Sequence, residues 1–504
     1  MIFYSRKKAA GHTHACMTGN LWFHTSCKPL CGSASPRVYS EPFPSNTPTN
    51  YGAPNLSSFG DTVIEVLLRP DYPPCPDCGW KTPQIKEYIL KKINYGALTD
   101  RKCTLYYKAR RYICPVCHRT YYETNPFCFK KQKISVMTAQ NVLRDLKNAT
   151  ETFSTVAARY HISPNSAASI FDEHVMEPRR ELPELMCWDE NYAFYHKGEN
   201  SKYIFVMLDF QTIEPVDILP SRRMDYLKSY FLKIPQAERK RVRMISTDMY
   251  SEYRSIIRSL FPKAIHTVDH YHVSQEMSRK LDRVRTRVMK SVPKYVTGTK
   301  IQTTEYYLLK KFNWLIFKRP DAQINKQDLF DPNAPRVMNR KLGRLLNYYD
   351  IKNMIKAVDP ELEKGWELKD SLVNFYDESD HETARENLQN LIQKFSSSGV
   401  KEMKDFAKTL RSWQDEIVNS FIVVDSRHEV DKDTGHVVMS AVKLNNGLME
   451  NRNSVIKTIK KAANGYTNWE RFRNRCLYVL RSSSVPRLNP IIPEKNRIQR
   501  KENG

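Results

Sequence analysis

The sequence has no long apolar run. No window approaches the ~18 to 20 continuous apolar residues that a membrane-spanning helix needs. It also lacks the apolar core of a secretory signal, so we expect a cytoplasmic protein whose cysteines stay reduced. The positive charge alone could attract the protein to an anionic membrane surface, and this is the less favoured interpretation of the charge.

Acidic residues are scarce relative to basic ones. Lysine and arginine number 80 against 55 aspartates and glutamates, which gives a formal net charge of +25. A basic surface attracts polyanions because each neutralised phosphate releases counterions, so nucleic acid is the predicted partner. The 504 residues exceed what one core encloses and predict about two to four domains, and 40% apolar content suffices for globular cores.

Four of the eleven cysteines form two C-x-x-C pairs, namely Cys75 with Cys78 and Cys114 with Cys117. Each pair can place two thiolates on one tetrahedral ion, so the four cysteines predict a structural Zn²⁺ site. Residues 106–113 lie between the pairs and predict a strand leading into the second pair, as in a zinc ribbon. Disulfides are the less favoured alternative in a reducing compartment.

The first 58 residues differ in composition from the rest of the chain. They are rich in Ser, Pro, Thr and Asn without a sustained hydrophobic period, which predicts a flexible extension. His24, Cys27 and Cys31 leave open a second metal knuckle there. The other cysteines and one histidine are interpreted as bystanders of the zinc pairs or as buried thiols: Cys103, Cys128 and His118 in the first group, Cys187 and Cys476 in the second.

Residues 153–171 predict two short helices joined by a turn. Ser163 is a suitable N-cap and Pro164 a suitable first residue for the second helix. This pattern indicates a helix-turn-helix, although an ordinary helical hairpin gives the same spacing. If the second helix is a recognition helix, its outward side chains would face the DNA major groove: Asn165, Ser166 and Ser169.

From residue 185 the periodicity becomes strand-like. Residues 186–195, 203–209 and 213–219 predict an antiparallel meander, and strands at 242–247 and 264–268 then alternate with helices. This is the element order of an RNase H-like fold. In that fold the first and fourth strands are neighbours, so Asp189 and Asp248 are expected to lie within reach of shared metal ions.

A third carboxylate is expected on a late helix, residues 445–463. The periodicity places an apolar face opposite a polar one that carries Glu450, Asn453, Lys457 and Lys461. A metal ligand followed by phosphate contacts fits this arrangement. On periodicity alone, a solvated charged face is the favoured interpretation of the same spacing.

Several motifs together resemble the DDE insertion-sequence transposases of the ISL-three family. They are the cysteine pairs, the helix-turn-helix pattern, Trp188-Asp189-Glu190, the segments 246–250 and 268–273, and the segment 447–453 with its continuation at 463–475. The likeness runs from about residue 59 to residue 480. The first 58 residues have no recognised counterpart.

The resemblance implies a catalytic triad of Asp189, Asp248 and Glu450. Three carboxylates suit Mg²⁺ or Mn²⁺, and a two-metal site needs no protein nucleophile. The resemblance further implies that Asp269 and His272, in a D-x-x-H arrangement, support the site. A zinc-binding pair or a general acid–base dyad is the less favoured interpretation of those two residues. Side-chain alternation predicts that Glu190 faces away from Asp189. Asp209 and Asp217 are interpreted as strand-end and turn acids.

We therefore expect a multidomain α+β protein. The expected order is a flexible extension (1–58), a zinc ribbon (59–130), a helix-turn-helix domain (131–180), the first part of an RNase H-like α/β catalytic domain (181–290), an α-helical insertion (291–440), the final catalytic helices (441–482) and a basic tail (483–504). Trp314, Trp366 and Trp413 are expected to pack in the core of the insertion.

The expected function is transposition. The protein would bind the terminal inverted repeats of its element as a homodimer or higher oligomer, cut the strands, and join them to target double-stranded DNA. Its location would be the cytoplasm of a prokaryote, associated with DNA. Two alternatives stay open: a silent DNA-binding regulator and an RNase H-like nuclease. Lys457, Lys461 and the tail are expected to contact phosphates.

Overall fold

The computed structural model describes residues 61–96 except 69 and 71, and residues 101–129, 132–192, 202–430, 437–444 and 446–487. The predicted extension (1–58), with its possible metal knuckle, and most of the predicted basic tail lie outside these residues. No helix in the described ranges is both long and apolar enough to cross a membrane.

The N-terminal unit is a four-stranded sheet that carries the paired cysteines. Its strands are β1 (Thr62–Val66), β2 (Gln84–Asn94), β3 (Cys103–Ile113) and β4 (Thr120–Tyr122). The central strand β3 pairs with β1 in parallel and with β2 and β4 in antiparallel fashion. The buried Arg110 on β3 forms an ion pair with Glu123 at 2.9 Å, and Tyr107 donates to the same carboxylate at 2.5 Å. The strand predicted at 106–113 is confirmed and begins three residues earlier.

Three short helices come next in the chain, and they are named here the three-helix unit: α1 (Val136–Asp145), α2 (Phe153–Arg159) and α3 (Pro164–His174). The predicted start of α3 is confirmed, because the Ser163 hydroxyl accepts from the Ser166 N–H and Pro164 is the first helical residue. The turn before it places His161 at φ 54°. Asp145 accepts from Arg159 at 2.5 Å and from Tyr160 at 2.8 Å, which fixes α1 against α2.

The central layer is a five-stranded sheet. Its strands are β5 (Leu185–Tyr192), β6 (Tyr203–Asp209), β7 (Glu214–Leu219), β8 (Met244–Thr247) and β9 (Ile265–Val268), with helices α4 (Met224–Leu232), α5 (Gln236–Arg241) and α6 (Ser251–Leu260) between the later strands. The strand order is β7-β6-β5-β8-β9. β5, β6 and β7 pair in antiparallel fashion, while β8 is parallel to β5 and β9. The expected adjacency of the first and fourth strands is confirmed.

Both faces of this sheet are covered. Side chains alternate along β5, so Cys187 lies in one core and Trp188 in the other. Trp188 stacks on Phe231 of α4 with ring centroids 5.1 Å apart. The opposite face packs against the last two helices, α15 (Gly447–Ala462) and α16 (Trp469–Leu480). Cys187 and Cys476 are fully buried, as predicted.

The segment between the sheet and α15 is mainly helical. Its helices are α7 (His270–Ser291), α8 (Thr304–Lys311), α9 (Asn313–Ile316), α10 (Tyr348–Lys356), α11 (Pro360–Glu378), α12 (Ala384–Ser396), α13 (Lys401–Ser412) and α14 (Gln414–Asn419). They share one large apolar core, in which Trp366 and Trp413 are buried and Trp314 is half-buried, so core packing of these tryptophans is confirmed.

The described residues of this segment also form three two-stranded antiparallel sheets that hydrophobic periodicity did not indicate. They are β10 (Gln323–Ile324) with β11 (Gln327–Asp328), β12 (Val337–Asn339) with β13 (Arg344–Leu346), and β14 (Val423–Val430) with β15 (Val437–Lys443). The first two hairpins are too short to show a period in the sequence.

Helix α16 joins the sheet to the three-helix unit. Tyr478 is buried in the core of the three-helix unit, where its ring meets Phe171 edge-on and its hydroxyl donates to the Leu143 carbonyl at 3.0 Å. On the other side, Arg473 forms an ion pair with Asp217 at 2.5 Å. The interpretation of Asp217 as a turn acid is therefore wrong: it lies within β7 and is buried.

Candidate catalytic and metal-binding sites

Asp189 and Asp248 lie at the same end of adjacent strands. The parallel pairing of β5 with β8 matches Cys187 with Ser246. Asp189 is two residues beyond Cys187, and Asp248 is two residues beyond Ser246, directly after β8 ends. Asp189 thus lies in β5, and Asp248 lies in the loop just after the neighbouring strand β8. The charge of Asp189 acts on Asp248, and their binding of shared metal ions stays a prediction.

Asp189 is held from α15. The side-chain amide of Asn453 donates to Asp189 Oδ2 at 2.6 Å, and the Asn191 amide donates to the Asn453 carbonyl at 3.0 Å. Asn453 was expected on the exposed polar face of this helix. That placement is wrong, because the residue is buried among Met449, Ile456 and Ile459 and turned toward β5.

Asp248 is held by the loop that comes after β8. Its Oδ1 accepts from the Tyr250 N–H at 3.2 Å. The neighbouring Thr247 hydroxyl donates to the Asp248 carbonyl at 2.7 Å and lies 2.8 Å from Nε2 of His266 on β9. Nδ1 of this buried histidine lies 3.7 Å from Glu416 on α14. The backbone around Asp248 is thus connected to the helical segment.

Both aspartates have pKa values raised to about 7. For Asp189 the largest cause is burial, and the charges of Glu190, Asp269 and Glu450 add to it. For Asp248, burial is again the largest cause, followed by the charges of Glu190 and Asp189. Several carboxylates therefore repel one another in a poorly solvated place, which is the chemistry of a cation site.

Glu450 lies in the first turn of α15 with an exposed side chain. It is close enough for its charge to act on Asp189 and on His272. However, in the described part of the chain, the paired cysteines are the only group of three or more His, Cys, Asp or Glu residues whose ligand atoms all lie within 4.8 Å. The ligand oxygens of the three acids therefore do not close around one point.

Asp269 and His272 mark the start of α7, beside these acids. Asp269 is buried and caps the helix by accepting from the Tyr271 N–H at 3.3 Å. Its Oδ1 also lies 3.3 Å from His270 Nδ1. Burial lowers the pKa of His272, and the charges of Asp269 and Glu450 partly oppose that shift. Both residues therefore border the acidic cluster.

Glu190 points to the other face of the sheet. It forms an ion pair with Arg222 and accepts from the Tyr253 hydroxyl at 2.9 Å. Side-chain alternation predicted this orientation, but its charge still raises the pKa of Asp248. Arg222 was missed in the sequence, where it stands in a loop with no motif around it. Its cation offsets part of the negative charge of the cluster.

The paired cysteines form the second site. All four sulfurs lie within 4.8 Å of one another, with Cys75 3.5 Å from Cys117 and Cys78 3.5 Å from Cys114. Zn–S bonds of about 2.3 Å in a tetrahedron place sulfurs about 3.8 Å apart, so the donor set fits Zn²⁺. Burial raises the pKa of Cys114, but hydrogen bonds from the backbone N–H groups of Cys117 and Val116 and from the Cys78 and Cys117 thiols together lower it to about 7, which favours the thiolate ligand.

The two cysteine pairs adopt the same turn. The carbonyl of Cys75 accepts from the Gly79 N–H at 2.9 Å, and the carbonyl of Cys114 accepts from the His118 N–H at 3.0 Å. Gly79 and His118 both have positive φ, 73° and 57°. His118 therefore shapes the turn. Like the buried Cys103 and Cys128, it lies outside the sulfur cluster, as predicted.

The side chains proposed for DNA contact are mostly accessible. Asn165 and Ser169 on α3 are exposed, as are Lys457 and Lys461 on α15. Ser166 is half-buried, and its hydroxyl lies 2.8 Å from the Ser163 hydroxyl within the helix cap. Its outward orientation toward DNA stays a prediction.

Known proteins resemble most of this chain. The model of the ISL-three (ISL3) family of DDE enzymes, described as "Transposase", matches residues 187–476, which span the three acids, the helical segment and most of α16. The chain is also 22% identical over 422 residues to the "Transposase for insertion sequence element IS1001" of Bordetella parapertussis, an alignment that covers 83% of this chain and 89% of that protein.

Proposed function

The chain belongs to the ISL3 family of DDE transposases, and we propose that it binds the ends of its insertion sequence and catalyses Mg²⁺-dependent strand cleavage and strand transfer. Membership implies DNA binding and a divalent metal ion. The finer proposal assigns catalysis to Asp189, Asp248 and Glu450. It rests mainly on the first two acids, which extend from adjacent parallel strands with pKa values raised to about 7.

The strand order supports an RNase H-like catalytic domain. Three antiparallel strands followed by two parallel ones, in the order β7-β6-β5-β8-β9, place β5 and β8 at the centre of the sheet. Central parallel strands bring their carboxyl ends together, which suits a metal site built from strand-end acids. We assign residues 181–290 and 441–482 to this domain, with 291–440 as the insertion.

The residues present fit a magnesium site. Asp189 and Asp248 supply hard oxygen ligands, and their raised pKa values mean that a nearby cation would favour their ionised form. Bound Mg²⁺ or Mn²⁺ supplies activation of the attacking oxygen and stabilisation of the leaving one. Asn453 orients the Asp189 carboxylate by donating to its Oδ2.

Glu450 completes the ligand set in this proposal. Its exposed side chain in the first turn of α15 can reorient toward Asp189, whose pKa its charge already raises. Asp269 and His272 lie beside it and support the site from α7. Asp269 is committed to capping the helix, and Mg²⁺ prefers oxygen ligands to the imidazole of His272, so we assign neither a ligand role.

The N-terminal units are proposed to read DNA. The four cysteines hold Zn²⁺ in a ribbon (59–130), and the three-helix unit (131–180) acts as a helix-turn-helix with α3 as recognition helix. Asn165 and Ser169 contact base edges. Lys457 and Lys461 contact phosphates behind Glu450. The protein works as a homodimer or higher oligomer that holds two element ends and target DNA.

Nicking and strand transfer on DNA that carries the gene's flanking ends test this function. Wild type is compared with Asp248→Asn, which removes a ligand charge while preserving shape. Asp209→Asn is the matched control, because Asp209 caps the β6–β7 turn through Gln211 and Thr212. We expect wild type and control to cut and join, and Asp248→Asn to bind DNA without doing either.

A wild-type protein that binds specifically but cuts under neither Mg²⁺ nor Mn²⁺ would instead be a DNA-binding regulator. Cutting without joining, and without preference for the flanking ends, would indicate a nuclease. Equal activity of Asp248→Asn and wild type would refute the catalytic assignment.

A further inference from the structure

A small hairpin in the helical segment presents apolar side chains to solvent. It comprises β12, β13 and the turn between them, residues 336–346, and is named here the hairpin arm. Val337, Met338 and Leu345 are 71%, 54% and 58% exposed. Met338 pairs directly with Leu345 across the two strands, so both side chains stand on one face. This is a cross-strand apolar pair left uncovered.

The hairpin arm is also strongly basic. Residues 332–349 contain no aspartate or glutamate. Arg340, Lys341 and Arg344 are exposed around the turn, and no ion pair involves them in the described part of the chain. Two copies of such an arm would repel each other, whereas a polyanion would be attracted.

The arm is anchored and pre-shaped. At its base, Arg336 binds Asp350 of α10 through two hydrogen bonds of 2.7 and 3.2 Å, and the Asn347 amide donates to the Ala334 carbonyl at 3.0 Å. Leu342 and Leu346 pack against the helical core. The arm is therefore fixed to a rigid body and loses little conformational entropy on binding.

The turn is equally well determined. Asn339 Oδ1 accepts from the N–H groups of Lys341 and Leu342, each at 3.1 Å, and the Asn339 carbonyl accepts from the Gly343 N–H at 2.8 Å. Gly343 has φ +64°, which other residues adopt only with strain. These contacts hold the basic tip in one shape.

We propose that the hairpin arm enters a groove of duplex DNA, where the basic tip contacts phosphates and Met338 with Leu345 wedges between base pairs. Apolar wedges of this kind unstack a base step and kink the duplex, and they act from the minor groove. The choice of DNA as partner rests on the proposed function. The inference that the arm acts as a wedge is based on the exposed pair of Met338 and Leu345, which lies beside cations that form no ion pair in the described residues.

Full-length protein and two labelled duplexes test the arm, one carrying the gene's flanking ends and one of scrambled sequence. The tip variant combines Arg340→Gln, Lys341→Gln and Arg344→Gln. Its matched control combines Lys401→Gln, Lys404→Gln and Arg411→Gln on the exposed face of α13. We expect the tip variant alone to reduce the slope of log affinity against log salt, by about 1 per lost contact on both duplexes.

The wedge variant combines Met338→Ser and Leu345→Ser, with Leu232→Ser and Ile301→Ser as a control at other exposed apolar positions. We expect the wedge variant to show the wild-type slope of log affinity against log salt but about tenfold weaker binding. We also expect it to lose the DNA kink, which is measured by energy transfer between the duplex ends and by 2-aminopurine fluorescence. Unchanged affinity, slope and kink in both variants would overturn the proposal.

Light scattering tests the alternative that the hairpin arm contacts a second copy of this chain and not DNA. A wedge variant that changes the oligomeric mass while leaving DNA binding intact would show that the arm contacts a second copy, which also overturns the proposal. Failure of the proposed catalytic function can be distinguished from failure of this inference. A wild type that never cuts but binds and kinks DNA through the arm leaves this inference standing.

Discussion

Asn453 Nδ2 lies 2.6 Å from Asp189 Oδ2, so a helix near the end of the chain fixes an acid on the first strand of the central sheet. Asn453 is itself fixed, because Asn191 on the same strand donates to its carbonyl at 3.0 Å. The carboxylate orientation thus depends on the seating of α15 against β5.

We predict that Asn453→Ala slows strand cleavage by about 10- to 100-fold while DNA affinity stays near wild type. A hydrogen bond to a charged group contributes about 1.5 to 3 kcal/mol, and each 1.4 kcal/mol is about a factor of ten in rate. Single-turnover nicking at saturating protein measures this. Ser454→Ala, at the exposed next position, is the control. An Asn453→Ala enzyme as fast as wild type would show that the contact positions nothing.

The raised pKa values of Asp189 and Asp248 predict how stability depends on pH. The folded chain keeps these protons up to about pH 7, whereas the unfolded chain releases them near 3.8. Between pH 3.8 and about 7 the folded state binds more protons than the unfolded state. The free energy of unfolding therefore falls as the pH rises through this range. Ionisation of one such aspartate lowers the free energy of unfolding by on the order of 4 kcal/mol.

Asp248→Asn should therefore be more stable than wild type at about pH 8 in EDTA, by about 1 to 4 kcal/mol, with no gain near pH 4. Mg²⁺ should narrow the difference by stabilising wild type. Urea unfolding at both pH values measures this. The control Asp209→Asn should show no such gain. A gain of equal size at both pH values would mean that charge is not its cause.

Loss of one sulfur should remove Zn²⁺. We predict that Cys78→Ser holds one Zn²⁺ fewer per chain than wild type and loses the cooperative unfolding of the N-terminal sheet, because structural zinc contributes directly to folding. Elemental analysis and thermal melting measure the two effects. Cys128→Ala, a buried cysteine outside the cluster, should keep the full zinc content. Equal zinc content in both variants would rule out this ligand set.

The exposed positions of α3 should carry sequence preference. We predict that Asn165→Ala lowers the affinity ratio between end DNA and scrambled DNA by about 5- to 100-fold, since one base contact is worth about 1 to 3 kcal/mol. Lys457→Gln should weaken binding to both duplexes alike. Ser166→Ala should leave the ratio unchanged, because its hydroxyl serves the helix cap. A ratio unaffected by Asn165→Ala would remove α3 from sequence reading.

Local chemistry was readable in the sequence wherever it depends on nearby residues. Ser163 and Pro164 start a helix through their own backbone and side-chain preferences, and a C-x-x-C pair carries its turn with it. The strand order could also be inferred from the sequence of elements, so the adjacency of the strands that precede Asp189 and Asp248 could be predicted.

The features that sequence reasoning missed depend on partners far along the chain. Hydropathy counts Asn453 as polar and therefore assigned it to solvent, although a carboxylate 264 residues away makes its burial favourable. Asp217 likewise owes its burial to Arg473, 256 residues away. The three acids were expected as one metal site, but in the described part of the chain no group of three or more acids has its ligand oxygens within 4.8 Å. Glu450 lies in the first turn of α15 with an exposed side chain.

Tyr478 sets a constraint on the order in which the chain can mature. The core of the three-helix unit includes this residue, and Arg475 donates to the carbonyls of Asn148 and Glu151 in the same unit. During synthesis from the N-terminus, that core stays incomplete until residue 478 has left the ribosome. An interrupted message therefore yields a fragment whose three-helix unit lacks part of its core.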